Sequence, residues 1–589
     1  MSDVEMEDGD TSEDSGDSSE DSWDSEEHNE GSSSDNSSSD NPPEPSSDSG
    51  GDTSSSGEDD EMGDAHGVWM PILGEDAGPI PIPFTAVPGI KHPPPQTGEP
   101  VDFFNLFFTP AIIDKVVTET VQYANQWIAA HQDYLREKRH SSVHQWSKRA
   151  VTVEEFRAFL GLTINMGLIR KTTLASYWNT ANRSQATPWF NEHFTRDRFL
   201  LLLKFLHFNN NANQPPPGDS AYKLYKIEPI VTHFNRMFLF HYHPGMDVSI
   251  DESMVGFKGK TPHLRQFMPQ KRHARFGIKL WCLCDSRNGY TSCFEVYKGK
   301  DVAAPVDPRG STHALVMRLM TNGNLLQRGH HLGIDNFFSS PDLFLELYQQ
   351  GTTASGTVRC NRKGLPKQAI KKKLKNQETE ERRKGNLLCV AYQDGNKKPI
   401  LLSTAAAAGF QDDVTSRGQP VRRPRVVSKY NKSMGGVDLS DARLYKYLSE
   451  RRTMKWTNKV VFSILGRAVL NSYILYDLHT NQPKLSRYQY MVQLVESLTD
   501  GYYPPKSPAR RRTRRQIRRD ANLPVPAAPP AQPQPGPAAV PAGNHWPRKL
   551  PGGKKRNCVA PVHPRRKRTS YECRSCDVGL CPECFAIYH

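Results

Sequence analysis

The first 90 residues contain no lysine and no arginine, while 26 aspartates and glutamates stand there among Ser, Gly and Pro. All 76 Lys and Arg therefore lie in the rest of the chain, against 38 acidic residues. A body so basic is built for a polyanion, of which nucleic acid is the commonest. Apolar runs of the roughly 20 residues needed to cross a bilayer are missing. The longest candidates, "RFLLLLKFLHF" and "VVFSILGRAVLNSYILY", are broken by Lys204 and Arg467 and suit buried helices, so no membrane partner is expected. The acidic N-terminus has neither the basic nor the apolar part of a secretory signal, which predicts an intracellular chain with reduced thiols. Cysteine is sparse, and five of the ten fall in the last 32 residues, which sets them apart from scattered core residues. No internal repeat is present.

Composition then divides the chain. Residues 1–98 read as a disordered acidic and Pro-rich tail, too poor in apolar area to offset the cost of ordering. From "VDFFNLFFTPAIIDKVVTETVQYANQWIAAH" onward, apolar residues recur at helical spacing, and 99–240 is expected to be helical. Residues 241–360 carry β-prone runs separated by turn-prone links such as "SRNGY". Three strands, a helix, a strand and a helix is the order of an RNase H-like core, although other α/β domains share it. A basic insertion domain (361–425) interrupts this core, which resumes at 426–454. A helical segment follows at 455–503, with Phe462, Leu465, Val469, Tyr473 and Tyr476 on one stripe expected to face the core. Residues 504–544 read as a basic and Pro/Ala-rich linker, and 545–589 as a cysteine-rich module.

"VSIDESMVGFKG", from Val248, places Asp251 at the end of the first expected strand, and "LGIDNFFSSP" places Asp335 at the end of the fourth. A strand-end aspartate is often only a solvated turn. Two or three of them at neighbouring strand ends repel one another unless a divalent cation neutralises them. Hard oxygen ligands with open positions suit Mg²⁺ or Mn²⁺. Two such ions about 3.5–4 Å apart would activate a water or a 3′-hydroxyl in phosphodiester chemistry. Asp438 in "NKSMGGVDLSD" is a third candidate, and also a plausible first-turn helix acid, with Asp441 helping that turn.

The chain resembles the piggyBac-type transposases and the proteins derived from them. The resemblance is carried by "SIDESMVGFKG", "MPQKRHARFGIKLWCLCDS", "IDNFFSSPDLFLEL", "RPRVVSKYNKSMGGVDLSD" and "YECRSCDVGLCPECFAIYH". It implies a catalytic triad, by motif Asp251, Asp335 and Asp438, with Asp441 as a supporting residue. It further implies an α/β RNase H-like catalytic core with an inserted domain, wrapped by an all-α dimerisation and DNA-binding domain, in a homodimer. The implied activity is cut-and-paste transposition of double-stranded DNA, acting on terminal inverted repeats and TTAA targets.

Cys573-x2-Cys576 and Cys581-x2-Cys584, with Cys558, His563 and His589 nearby, have the spacing of zinc ligands. Zinc would supply folding energy to a module too small for a core of its own. In the family this module is a cross-brace that commonly opens with a Cys-x2-Cys pair. Here Pro561 stands where the partner of Cys558 would be; His563 is one candidate substitute, and within "PVHPRRKR" it also reads as part of a basic loop. A RING- or PHD-like protein-binding module is the alternative reading. Arg510, Arg511, Arg512, Arg514, Arg515, Arg518 and Arg519, with Lys554, Lys555 and Arg556, are candidate phosphate contacts and a nuclear import signal. The expected function is therefore a nuclear DNA transposase. The alternative is a domesticated DNA-binding protein that keeps the fold without the chemistry.

Overall fold

The computed structural model describes residues 67–503 and 547–584, apart from breaks at 96–97, 260, 262–263, 270, 272–273, 300–306, 416, 450–452, 454, 481–482, 551–554, 560–567 and 574–576. The chain divides into two compact units, Met1–Pro505 and Lys506–His589.

In the first unit, the helices are α1 (Pro100–Asn105), α2 (Pro110–Ala130), α3 (Gln132–Glu137), α4 (Val153–Leu168), α5 (Pro188–His193), α6 (Arg196–Phe205) and α7 (Glu228–His241). Their starts are chemically marked. Pro stands in the first turn of α1, α2, α5 and α7, while the Thr152 and Thr195 hydroxyls accept from the Glu155 and Arg198 amides. Phe103, Phe104, Phe107, Phe159, Phe205 and Phe234 close one apolar core with α13 (Trp456–His479) and α14 (Arg487–Thr499). The stripe expected on α13 is not its only inner face. Val460, Ile464, Arg467, Ala468, Leu470, Asn471 and Leu475 are buried as well, whereas Phe462 and Leu465 are only partly so. The helix is enclosed all round because helices pack on one flank and the sheet on the other.

The sheet begins with β4 (Asp247–Gly256), β6 (Phe276–Asp285) and β7 (Thr291–Val296), an antiparallel trio to which the short β5 (Arg265–Phe267) adds on β6. Helix α8 (Ser311–Asn322) leads to β8 (His331–Ile334), and α9 (Pro341–Gln349) to β9 (Thr353–Thr357); both strands run parallel to β4. The order β7-β6-β4-β8-β9 follows. Val248 and Ile250 face a second apolar core with α8 and α9, while Ser249, Asp251 and Ser253 alternate to the other face.

Two boundaries differ from the sequence reading. Residues 361–425 do not stand apart as an inserted domain. After α10 (Lys367–Lys371), strands β10 (Thr379–Lys384), β11 (Leu387–Tyr392) and β12 (Ile400–Ser403) extend the same sheet from β9, and β13 (Phe410–Val414) with β14 (Pro420–Pro424) forms a hairpin. The alternation Leu387, Cys389, Ala391 puts apolar side chains into the second core, so the segment is sheet despite its charge. The expected tail also ends early. From Gly67 the chain lies on the first unit, with β1 (Met70–Pro71) paired to β10, and β2 (Gly89–Ile90) paired to β3 (Tyr242–His243). A Pro-rich strap needs no internal hydrogen bonds, and this one is fixed by Asp76, whose carboxylate pairs with Arg383 at 2.5 Å and accepts from the Ala408 amide at 2.7 Å. Two further helices, α11 (Arg425–Met434) and α12 (Gly436–Tyr447), cross the Asp251 face of the sheet.

Candidate active site

Strand register brings the first two aspartates together. The parallel pairing of β4 with β8 runs from Asp247 opposite His331 to Ile250 opposite Ile334, and the next residue on each chain is an aspartate. Asp251 and Asp335 are thus lateral neighbours across an interstrand spacing of about 4.8 Å. Asp251 does not end its strand, as the sequence suggested. It is mid-strand in β4, because β6 continues to pair β4 as far as Gly256 after β8 has stopped. Only Asp335 sits at a strand end.

Asp251 is 9 % exposed. Burial first, and then the negative charge of Glu252, push its carboxyl up to about 8. Its Oδ1 accepts the Glu252 amide at 2.8 Å. Asp335 Oδ1 accepts from the Asn336 amide at 2.5 Å and from the Thr357 hydroxyl on β9 at 3.0 Å. Asp438 lies in the first turn of α12, where a carboxylate also meets the positive helix end. The second glycine of the Gly-Gly before it has a steric cause, while a Cβ on Gly435 would meet nothing within 4 Å. A Cβ on Gly436 would lie 2.6 Å from the Ser249 hydroxyl and 3.0 Å from the Ser286 Cα, so only glycine lets α12 begin against β4. The Val437 amide then donates to Ser249 Oγ at 3.2 Å.

Tyr430 lies on α11, which packs on β4, β8 and β9. Its hydroxyl is pushed up to about 12, first by burial and then by the charges of Asp335, Asp251 and Asp438. The carboxylates stand open. Among the described residues, the ligand atoms gathered within 4.8 Å of one another are three thiols treated below, not these oxygens. The donor set still fits a divalent cation: all ligands are hard oxygens, and Asp251 is a buried carboxylate without enough positive charge beside it to stay ionised easily.

Asp441 stands one turn beyond Asp438 and does different work. It is buried and paired with Arg467 Nη2 at 2.8 Å, and it accepts from Ser253 Oγ at 2.8 Å. Arg467 is fully buried on α13 and also donates to Ser253 Oγ. The group clasps α12, β4 and α13 to each other, while the Asp438 side chain on the same helix is 73 % exposed. The sequence reading missed Arg467, Tyr430 and Thr357 here. Arg467 had a signal, a lone cation inside an apolar run that needs a buried partner. The other two had none.

In the second unit, β15 (Pro547–Lys549), β18 (Tyr571–Cys573) and β19 (Val578–Gly579) form a small antiparallel sheet, and β16 (Arg556–Asn557) pairs with β17 (Arg568–Thr569). Cys558 follows β16 and meets Cys581 and Cys584, the three sulfurs lying within 4.8 Å of one another. The Cys581 amide donates to Cys558 Sγ at 3.3 Å. Burial, then hydrogen bonding and charge from Cys581 and Cys558, push the Cys584 thiol up to about 12. Clustered sulfur ligands behave this way without a cation between them. Cys573 is buried but is not one of this trio. Cys576, His563 and His589 lie outside the described residues, as do Lys554 and Arg510, Arg511, Arg512, Arg514, Arg515, Arg518 and Arg519. Lys555 and Arg556 are both exposed, and Arg556 pairs with Asp577 at 2.6 Å and Glu572 at 3.4 Å.

Residues 99–473 match the family described as Transposase IS4. The human PiggyBac transposable element-derived protein 3 is 26 % identical over 516 residues, 84 % of this chain and 78 % of that protein. The human PiggyBac transposable element-derived protein 2 is 26 % identical over 409 residues, 66 % of this chain and 63 % of that protein. A cryo-EM structure of the piggyBac transposase synaptic complex with hairpin DNA shares the fold at a TM-score of 0.62 and 22 % identity, covering 85 % of this chain and 100 % of that one.

Proposed function

The chain belongs to the piggyBac transposase family, and on that premise we propose that it is a DNA transposase working by cut-and-paste at TTAA targets, with Asp251, Asp335 and Asp438 as its catalytic triad. The observation that supports this reading is the strand register that sets Asp251 on β4 beside Asp335 at the end of β8, with Asp438 in the first turn of α12, a helix packed on β4. The strand order β7-β6-β4-β8-β9, antiparallel then parallel, supports an RNase H-like core. The helices of 99–240 and 455–503 would serve dimerisation and DNA binding in a homodimer. The basic segments at 510–519 and 554–556 would serve nuclear import, and Lys555 phosphate contact.

Mg²⁺ or Mn²⁺ held by the three aspartates would activate the attacking oxygen and stabilise the leaving one. The chain's own part is positioning. Thr357 and the Asn336 amide orient Asp335, the Gly436 start aims Asp438, and the Asp441–Arg467 clasp keeps α12 on β4. In cleavage, a water oxygen bonds to phosphorus as the P–O3′ bond breaks, and a proton ends on the freed 3′-oxygen. In joining, that 3′-hydroxyl attacks a target phosphorus and the target's 3′-oxygen leaves with the proton. Zn²⁺ would be held by Cys558, Cys581 and Cys584. A trio that joins the first cysteine to the last pair and passes over Cys573 supports the cross-brace reading.

Incubating the full chain with duplex ends from the DNA flanking its own coding sequence, bounded by TTAA, in Mg²⁺ should release 3′-hydroxyl ends. The names of its relatives, derived from a transposable element, favour one second reading: a DNA-binding protein that has kept the fold and lost the chemistry. Tight binding of those ends with no cleavage in Mg²⁺ or Mn²⁺ is its expected result.

A further inference from the structure

Lys271 lies in the turn between β5 and β6, and that turn is folded back on itself. Met268 donates to the Arg275 carbonyl at 2.7 Å, Lys271 to Met268 at 3.2 Å, and Ala274 to Lys271 at 3.0 Å. The Lys271 ammonium is thereby turned inward, its side chain 20 % exposed. Nζ donates to the Glu252 carbonyl at 3.1 Å and lies 3.9 Å from Asp438 Oδ1. Its charge also opposes the upward shift of the Asp251 carboxyl. A lysine on a basic hairpin has no reason to leave water for this position, since an ordinary surface ion pair is worth under about 1 kcal/mol and costs side-chain freedom. Three donors sit on the ammonium, and the two protein contacts leave capacity for another acceptor.

We propose that Lys271 is a catalytic residue of the aspartate site. In the free protein it balances the carboxylates, and with DNA seated it contacts a non-bridging oxygen of the scissile phosphodiester, where negative charge builds during attack. The proposal rests on the aspartate-site reading above. The same hairpin offers what a nucleic-acid strand needs beyond that phosphate: Arg265 over the ring of Phe276 at 5.8 Å, exposed Arg275, and two exposed rings packed on each other at 4.7 Å, Phe267 at 47 % and Phe276 at 43 % exposure.

A cation that shares the carboxylates competes with a metal ion, and this gives a signature that a merely structural lysine lacks. Full-length wild type, K271Q, K271R and D251N are compared by Mn²⁺ binding without DNA and by cleavage of a terminal duplex. K271Q should bind Mn²⁺ about 5–10-fold more tightly yet cut about 100-fold more slowly. K271R should keep wild-type Mn²⁺ affinity within about twofold and cut at an intermediate rate. Unchanged Mn²⁺ affinity or an unchanged rate in K271Q overturns the proposal. If K271Q melts lower than wild type, K271R decides: a rate as low as that of K271Q overturns the role of the charge. Loss of Mn²⁺ binding in D251N with K271Q like wild type would defeat Lys271 alone, whereas unaltered Mn²⁺ binding in D251N would defeat the aspartate site itself.

Discussion

Asp251, Asp335 and Asp438 are carried by elements whose apolar cores close without them, whereas Cys558, Cys581 and Cys584 are much of the interior of the module they occupy. Around the aspartates, Val248, Ile250, Leu332 and Ile334 fill one face of the sheet and Val437 and Leu444 anchor α12 on the other. Around the thiols, the buried apolar cluster is Cys573, Leu580, Cys581 and Cys584, with Cys558 and Val578 against it. The first site is borne by a scaffold whose apolar cores are built from other residues. Among its described residues the second has little buried scaffold apart from its ligands, so a bound ion would be part of the fold. Three sulfurs are gathered within 4.8 Å in the second, whereas among the described residues the oxygens of the first form no such group.

The comparison breaks first on chemistry. Asp251→Asn, Asp335→Asn and Asp438→Asn should each lower cleavage by roughly 10³-fold or more while leaving metal-free DNA binding intact, since residues acting as a unit fail together. A cleavage assay in Mg²⁺ beside a binding assay in chelator reads this, and an Asp438→Asn protein cutting at the wild-type rate would return Asp438 to a helix-start acid. A chelator should next separate the two units. Hydrogen exchange on the full chain should show residues 547–584 losing protection while β4, β6 and β8 keep theirs, and equal protection with and without chelator would remove zinc from the module.

Arg467→Met tests the self-standing scaffold from inside. It strands buried Asp441, so the loss should be about 3–5 kcal/mol by denaturant unfolding; Asp441→Leu added to it should recover part of that loss, because no charge is then left unpaired. The smallest effect is a pH slope. Asp251 is raised to about 8 in the folded chain, above the ordinary range near 4, so the folded state holds the extra proton between those values. Its stabilising contribution is complete below about pH 4 and lost as pH rises through about 8. In metal-free buffer, Asp251→Asn should flatten this decline and raise Tm at pH 8 by a few degrees, and Mg²⁺ should do the same for wild type. A steeper decline in the Asn variant would contradict the buried-carboxylate account.

Much was legible in the chain. β-Branched and aromatic residues between turn-prone links in "DVSIDESM" and "FGIKLWCLCDS" marked strands β4 and β6, helical periods marked helices, and the charge split set the tail apart from the basic body. The Gly-Gly before Asp438 was visible, and so was the anomaly of Arg467 in an apolar run. The strap at 67–95 was not, because Asp76 reads as one more tail acid until Arg383, far along the chain, is placed beside it. Nor was the membership of β10, β11 and β12 in the core sheet, since pairing with β9 depends on register and not on composition.

The sequence by itself determined which residues alternate, which coil and which ligand types are present, because periodicity and side-chain chemistry are local. Only the tertiary structure decided that Asp251 stands beside Asp335, that Asp441 serves Arg467, and that Cys558 joins the last cysteine pair past Cys573. Such neighbours are set by strand register, by helix starts and by the burial of a single charge. Those are relations between segments far apart in the chain, and no local pattern encodes them.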